Sequence, residues 1–369
     1  VISYCTNIHP GESWEEIFAN VRAHVPRVKA QVSPRDPFPV GLRLSGRAAR
    51  ELDPLESARF LEWCREQRCF VTTVNGFPYG RFHGAPLKEG VYLPDWRDPQ
   101  RLAYTRRLAE LLAVWLPAGR RGSLSTVPVG FRGALNDGIE GAKRNLRSAL
   151  EHLDGLAQAT GQEILLSLEP EPGCLLETTP DVVGFFEEMA LPAHLRGHLA
   201  VCYDCCHQAL QFESPSASLR LLREAGIRIG HVQVSSALRL PSPDLRVLGR
   251  YCEPWYLHQV VGRRSDGTLV RHDDLPEAIR AGDEGVEEWR VHFHVPVFLE
   301  ESADCRTTRP FLEEILPLFD QDAALEVETY TWSVLPPDLQ TGSVTDSVVR
   351  EIRWAAASRE PALPPAGAP

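Results

Sequence analysis

The sequence predicts a single (β/α)8 barrel, on three observations. Short β-rich runs alternate with amphipathic helical stretches along the whole chain, the pattern of a parallel α/β sheet. Eight such runs occur in βα order, which favours a closed barrel over an open doubly wound sheet. No Gly-x-Gly-x-x-Gly follows any of them, so nothing marks a dinucleotide fold.

The first strand is expected over 1–8, and the helix after it opens at Ser13, where Ser-Trp-Glu-Glu places Glu16 at the third helical position of a capping box. The next strands are expected over 38–45, 69–76 and 122–130, with helices over 56–67, 99–116 and 141–161. The second half repeats the rhythm with strands over 163–172, 199–207, 227–236 and 324–332. One stretch breaks the count. Around Ser265-Asp266-Gly267 the residues alternate on both sides of a short turn, which reads as a hairpin. A short helix over 276–281 and a further apolar run over 289–301 follow it. The domain expectation is therefore one barrel over 1–355, an insertion of about 240–302 on the seventh βα loop acting as lid or pocket wall, and a disordered Pro/Ala-rich tail over 356–369.

The chain has 369 residues, 43% of them hydrophobic and 24% charged, a composition that supports a substantial core. A net charge of -11 disfavours a nucleic-acid partner, whose affinity comes from clustered Lys and Arg. No apolar run is long enough to span a membrane, and the opening VISYCTNIHPGESW lacks signal-peptide character, so a cytoplasmic location is expected. The nine cysteines are odd in number and lack zinc-ribbon spacing; they read as reduced, with Cys205 and Cys206 in a core role.

In a barrel strand alternate side chains face the interior, and the last of them reach the active face. On the fifth strand Leu166 and Leu168 face the helices, which turns Ser167 and Glu169 inward and sets Glu169 at the mouth; Glu171 joins it if the strand runs longer. Asp204 ends the sixth strand and His207 follows three residues on, so the pair can share a metal, or the His can move a proton while the Asp binds the metal. On the eighth strand Glu326 and Glu328 both face inward, which requires a cation or a basic partner. Arg43, inward on the second strand, is the obvious partner for a structural ion pair and otherwise a substrate contact.

The seventh strand offers His231, read as a core histidine, and Gln233 nearer the active end, with Arg239 beyond the strand. In the insertion His292 and His294 share a face; folded back over the mouth, one of them completes a metal sphere or serves as acid, base or substrate contact. His9, Asn75, Tyr79 and His83 add polar groups from the early strands, and Trp255, Tyr256, Tyr330 and Trp332 are candidates for an aromatic platform under a sugar-like ligand. Each of these has an ordinary alternative, a solvated carboxylate, a structural ion pair or plain core packing.

Four segments in order, SLEPEP, YDCCH, GHVQVSSALR and LEVETYTW, resemble the ends of strands five to eight in the xylose isomerase-like TIM barrel superfamily, which includes sugar isomerases, ketose 3-epimerases and the endonuclease IV type of nuclease. The resemblance implies one divalent metal (Mn, Zn or Mg) held by Glu169, Asp204 and Glu328, with Gln233 standing where a metal-binding His is expected. It implies proton exchange by Glu169 and Glu328, and substrate contacts from His207 and Arg239. YCTNIHPGESWEEIF, VHFHVPVF and ETYTW further resemble the EboE-type metabolite traffic proteins, implying a sugar-derived or cyclitol metabolite and partner proteins of one pathway. The function expected is a metal-dependent isomerase or epimerase of a small polyhydroxylated metabolite, phosphorylated or not. The alternatives are a non-catalytic metabolite carrier on the same barrel and, more remotely, a nuclease.

Overall fold

Alternation of apolar and small polar residues gives each of the eight expected runs one face for the helices and one for the barrel interior. The computed structural model describes residues 2–135 and 138–360. Its strands are β1 Ser3–Tyr4, β2 Phe38–Arg43, β3 Cys69–Asn75, β4 Gly122–Thr126, β5 Ile164–Leu168, β6 Leu199–Asp204, β7 Arg228–Val234, β8 Ser236–Leu240, β9 Val260–Arg264, β10 Leu269–His272, β11 Val286–Val295, β12 Arg306–Thr307 and β13 Leu325–Val327. Eight of them form a parallel sheet in the order β1-β13-β7-β6-β5-β4-β3-β2, and a parallel bridge between Cys5 and Gly41 joins its two edges. Helices wrap the outside. The first, Trp14–Val32, opens on the expected capping box, with Glu16 N–H donating to Ser13 Oγ and Ser13 N–H to Glu16 Oε2. The helices Pro54–Glu66, Pro99–Trp115 and Ile139–Thr160 lie within about two residues of their expected bounds.

The strands are shorter than expected at their C-terminal ends. The first stops at Tyr4 and continues as the 3₁₀ turn Thr6–Ile8; the sixth stops at Asp204, after which Cys205, Cys206 and His207 begin the helix Cys205–Leu210. The cause is burial. Beyond the last ladder bond the chain still turns over the covered barrel mouth, so buried residues continue past the strand. Residues 356–359 of the expected tail are helical instead, at the end of the helix Val344–Arg359, which buries Val348, Val349, Ile352 and Ala355; 361–369 lie outside the described residues, as does position 1.

Polar side chains fill much of the barrel interior. Ser123 Oγ contacts Ser167 Oγ at 2.7 Å and His231 Nδ1 at 2.7 Å, while His231 Nε2 meets Cys202 Sγ at 3.3 Å. His231 is thus a satisfied core histidine, as read from the sequence, and burial pushes its pKa down to about 3. Gly41 abuts the Glu326 carboxylate, which is itself bonded to Thr73 Oγ1. A methyl group at position 41 would collide with that carboxylate, so Gly41→Ala is expected to destabilise the barrel by about 1–3 kcal/mol, the usual range for overpacking. A urea midpoint equal to that of wild type would contradict this contact.

The chain leaves β7 with only Ser235 intervening before β8, the start of a five-stranded antiparallel sheet of order β10-β9-β11-β8-β12. The insertion therefore occupies 236–307, wider than the expected 240–302, because GHVQVSSALR is two strands with no Gly or Pro between them to mark the break. The expected hairpin is present as β9 and β10, with Gly267 at φ 84° in its turn. The sheet has its own core around Leu238, Tyr251, Val291, Phe293 and Trp289. Since successive side chains of a strand point to opposite faces, seating Phe293 in that core turns His292 and His294 the other way, toward the barrel.

Candidate metal centre

Three carboxylates from neighbouring strand ends meet at the barrel mouth. Glu169 follows β5, Asp204 ends β6 and Glu328 follows β13; one ligand oxygen from each lies within 4.8 Å of the others, and all three residues are at most 4% exposed. Two of them are fixed from one side. Asp204 caps the helix Cys205–Leu210, its Oδ1 accepting from His207 N–H at 3.0 Å and Ser235 Oγ at 2.7 Å. Glu328 Oε1 accepts from Asn7 Nδ2 at 2.8 Å and Asn75 Nδ2 at 3.2 Å. Asp204 Oδ2, Glu169 Oε2 and both amide atoms of Gln233 are buried without a hydrogen-bond partner.

The electrostatics reflect crowded negative charge. Burial, then Asp204 and Glu171, hold Glu169 well above the usual carboxylate range; burial, then Glu169 and Asp204, do the same to Glu328. Burial opposes ionisation of Asp204 too, but His207 and His294 together with the hydrogen bonds from His207 N–H and Ser235 Oγ leave its pKa lowered. Buried unpartnered oxygens on converging carboxylates are the donor set of a hard divalent cation. Gln233, buried with its amide oxygen free, stands beside Asp204 in the β6–β7 ladder.

Three histidines stand beside this group. His207 Nδ1 lies 2.8 Å from Pro170 O, His294 Nδ1 lies 2.9 Å from Glu328 O, and His292 Nδ1 lies 2.6 Å from Gln259 Oε1. Gln259 Nε2 donates to Tyr92 Oη, Glu171 Oε1 and Pro172 O, which assigns its oxygen to His292. All three imidazoles face an acceptor at Nδ1, so Nδ1 carries a proton and the neutral ring keeps its lone pair at Nε2. Burial pushes His292 well below the ordinary value, helped by the neighbouring histidines, and pushes His294 down to about 4.

Above the centre opens a pocket lined by Glu169, Glu171, Glu328, His207 and His292, together with Asn7 and Asn75. Its wall is aromatic and apolar: Phe77, Phe82, Tyr92, Val91, Tyr256 and Tyr330. The insertion supplies Tyr256, Leu257 and His292, so it forms part of the pocket wall. Lys88 ties the 3₁₀ turn Lys88–Tyr92 to the insertion, with Nζ 2.6 Å from Asp274 Oδ2 and 2.7 Å from Tyr256 O.

Several residues singled out from the sequence sit elsewhere. Arg239 lies on β8 and pairs with Glu288 at 2.7 Å, because the chain enters the insertion sheet where a loop over the mouth was expected. Arg43 pairs with neither Glu326 nor Glu328. Its guanidinium donates to Gly11 O, Gly80 O and Glu12 Oε2 and packs over Phe82, pinning two loops under the pocket wall. His9 meets Tyr4 Oη at 3.2 Å and stacks on His24, away from the pocket, with burial pushing its pKa down to about 3. His294 is fully buried among the candidate ligands and does not line the pocket. Tyr79 packs on Gly46, and His83, Trp255 and Trp332 lie off the pocket; of the aromatic platform candidates Tyr256 and Tyr330 line it. The sequence reading missed Asn7, passed over for His9 in the same turn, although it is the polar residue just past β1. It also missed Tyr92 and Gln259, which reach Glu171 from a loop and from the insertion with no local signal.

No family model and no curated protein matches the sequence. Among solved structures the chain is similar to a xylose isomerase-like TIM barrel protein from Mycobacterium smegmatis in complex with magnesium (TM-score 0.53, 12% identity, covering 97% of this chain and 96% of that one). It is similar also to D-psicose 3-epimerase of Clostridium cellulolyticum H10, solved with D-tagatose (0.52, 12%, 97% and 98%). A third is the probable 3-DHS dehydratase AsbF involved in petrobactin synthesis, from Bacillus anthracis (0.51, 14%, 96% and 98%). The fold is a (β/α)8 barrel of the xylose isomerase-like kind. All nine cysteines are free thiols, and among the described residues no helix is long and apolar enough to cross a membrane.

Proposed function

We propose that the protein is a divalent-metal-dependent isomerase or epimerase of a small polyhydroxylated metabolite. The observation that carries the reading is the convergence of the buried carboxylates Glu169, Asp204 and Glu328, with Glu169 Oε2 and Asp204 Oδ2 left unpartnered, at the floor of an open pocket. These three, with Gln233, would hold the cation. When bound, a divalent cation there supplies Lewis acidity toward a carbonyl or hydroxyl oxygen of the substrate. Glu169 and Glu328 line the pocket and Asp204 does not, so the two glutamates are the groups placed to take a proton from the carbon beside a carbonyl and return it. Asn7 and Asn75 hold Glu328 by one oxygen and leave the other free to move that proton. Tyr330 offers a polar contact for hydroxyls, and the aromatic wall excludes water and stacks on the substrate's apolar face. The solved epimerase and dehydratase structures support this class through their fold. The EboE-type resemblance narrows it to a sugar-derived or cyclitol metabolite shared with other proteins of one pathway.

The test is solvent exchange. Metal-loaded protein in D2O, offered a panel of ketoses, aldoses and inositols, is expected to place deuterium at one carbon of its substrate, read by NMR, and Glu169→Gln and Glu328→Gln are each expected to stop it. Binding of a panel member without deuterium uptake would instead favour the carrier reading, which draws on Gln233 in place of an imidazole.

A further inference from the structure

The carboxylate centre leaves three buried imidazoles unused. His207 Nε2 and His292 Nε2 are 3.1 Å apart, and His292 Nε2 and His294 Nε2 are also 3.1 Å apart. With every Nδ1 facing an acceptor, three neutral rings set lone pair against lone pair at these contacts. Such contacts repel unless a cation lies among them. Asp204 Oδ2, the unpartnered oxygen, lies 3.8 Å from His207 Nε2 and 3.9 Å from His294 Nε2. Nitrogens bound at about 2.0–2.1 Å around a tetrahedral zinc ion are separated by roughly 3.3–3.4 Å; the two imidazole contacts at 3.1 Å fall just below that and the two to Asp204 just above it, and ligand atoms of Asp204, His207 and His294 all lie within 4.8 Å of one another.

Each ring is also oriented as metal-bound imidazoles are, by a second partner at the far nitrogen. Pro170 O, Gln259 Oε1 and Glu328 O fill that place, and Gln259 is held in turn by Tyr92 and Glu171. Cys206, whose sulfur lies within 4.8 Å of donor atoms of both His292 and His294, adds a soft donor on one side. The Tyr330 hydroxyl stands 3.3 Å from His292 Nε2, on the pocket side.

We infer that His207, His292 and His294, with Asp204 Oδ2 as a shared ligand, form a second metal site that selects a borderline cation of the zinc class. Two sites then lie side by side, divided by donor chemistry: carboxylate and amide oxygens for a hard ion, imidazole nitrogens for zinc. The insertion supplies two of the three imidazoles from one face of β11, so it builds part of the centre as well as walling the pocket. The inference deepens the proposed function, since Asp204 serves both sites.

The experiment is metal stoichiometry by elemental analysis on untagged protein, stripped and reloaded with zinc or with manganese plus zinc, for wild type, His292→Ala and Glu169→Gln. Two ions per chain in wild type, falling to one in each variant, is the expected result. One ion in wild type that survives His292→Ala and is lost in Glu169→Gln overturns the second site and leaves the carboxylate site standing. One ion lost in His292→Ala and kept in Glu169→Gln upholds the histidine site and defeats the carboxylate reading; no ion in wild type overturns both. Cobalt loading of the wild type decides the matter if His292→Ala fails to fold. Intense visible d–d bands of a tetrahedral nitrogen-rich site are expected, and only the weak bands of an oxygen-bound octahedral ion would overturn the inference.

Discussion

Asp204→Asn is expected to strip the centre of bound metal and to lower turnover on the order of 10³-fold or more, because a Lewis-acid cation contributes several kcal/mol at the transition state and each 1.36 kcal/mol is tenfold in rate. The substitution discriminates chemistry from folding. Asn is as good a helix cap as Asp, so Oδ1 can still accept from His207 N–H and Ser235 Oγ. What changes is Oδ2, the oxygen without a protein partner, replaced by an amide that offers hydrogens where a cation needs lone pairs. Elemental analysis, turnover and a thermal melt on the same preparations check it. Metal content and turnover are expected to fall together while the metal-free melting temperature stays near that of wild type. Full turnover in a metal-free Asp204→Asn protein would remove the cation from the account.

Glu351→Gln is expected to stabilise the protein at about pH 8.5 and to leave it unchanged near pH 5. Glu351 stands on the helix Val344–Arg359 with its carboxyl buried, where Oε2 accepts from Val297 N–H at 3.2 Å and Thr329 Oγ1 at 2.5 Å and Oε1 accepts from Ser347 Oγ at 3.1 Å. It thereby joins the end of β11 to the loop carrying Glu328. Burial lifts its pKa from the ordinary 4.5 to about 7, against the lowering effect of those donors. Folding therefore favours the protonated form. The stability this contributes is fully present below about pH 4.5 and is lost as the pH rises through 7, an effect of ~3 kcal/mol. Glutamine keeps the acceptor and cannot ionise, so the difference in urea midpoint between variant and wild type should open across that window. An equal difference at both ends of the range would show that ionisation of Glu351 is not involved.

How much of the centre was legible in the sequence depends on where each residue stands relative to a strand. Glu169, Asp204 and Glu328 follow from strand alternation alone, because a charged side chain on the inward register at a strand's C-terminal end has only the barrel mouth to enter. Arg43 obeyed the same rule of direction, yet its long side chain reached past the interior to the carbonyls of two loops. Arg239 failed for a different reason. Nothing in SSALR separates the end of a barrel strand from the start of another sheet, and the hydrogen bonds to β11 and β12 are what decide it.

The sequence by itself determined the barrel, its eight-strand order, the existence of the insertion and its hairpin, and the three carboxylates, because those follow from periodicity and capping, which act between near neighbours in the chain. Only the tertiary structure decided that His292 and His294 close on His207 and Asp204, and that Asn7 holds Glu328, Tyr92 holds Glu171 and Gln259 holds His292. Those contacts join residues 85 positions apart for His207 and His292, 167 for Tyr92 and Gln259 and 321 for Asn7 and Glu328. Their geometry is set by the packing of the insertion sheet's core around Phe293 and by the closing of the ring at Cys5 and Gly41, and no local pattern of residues encodes either.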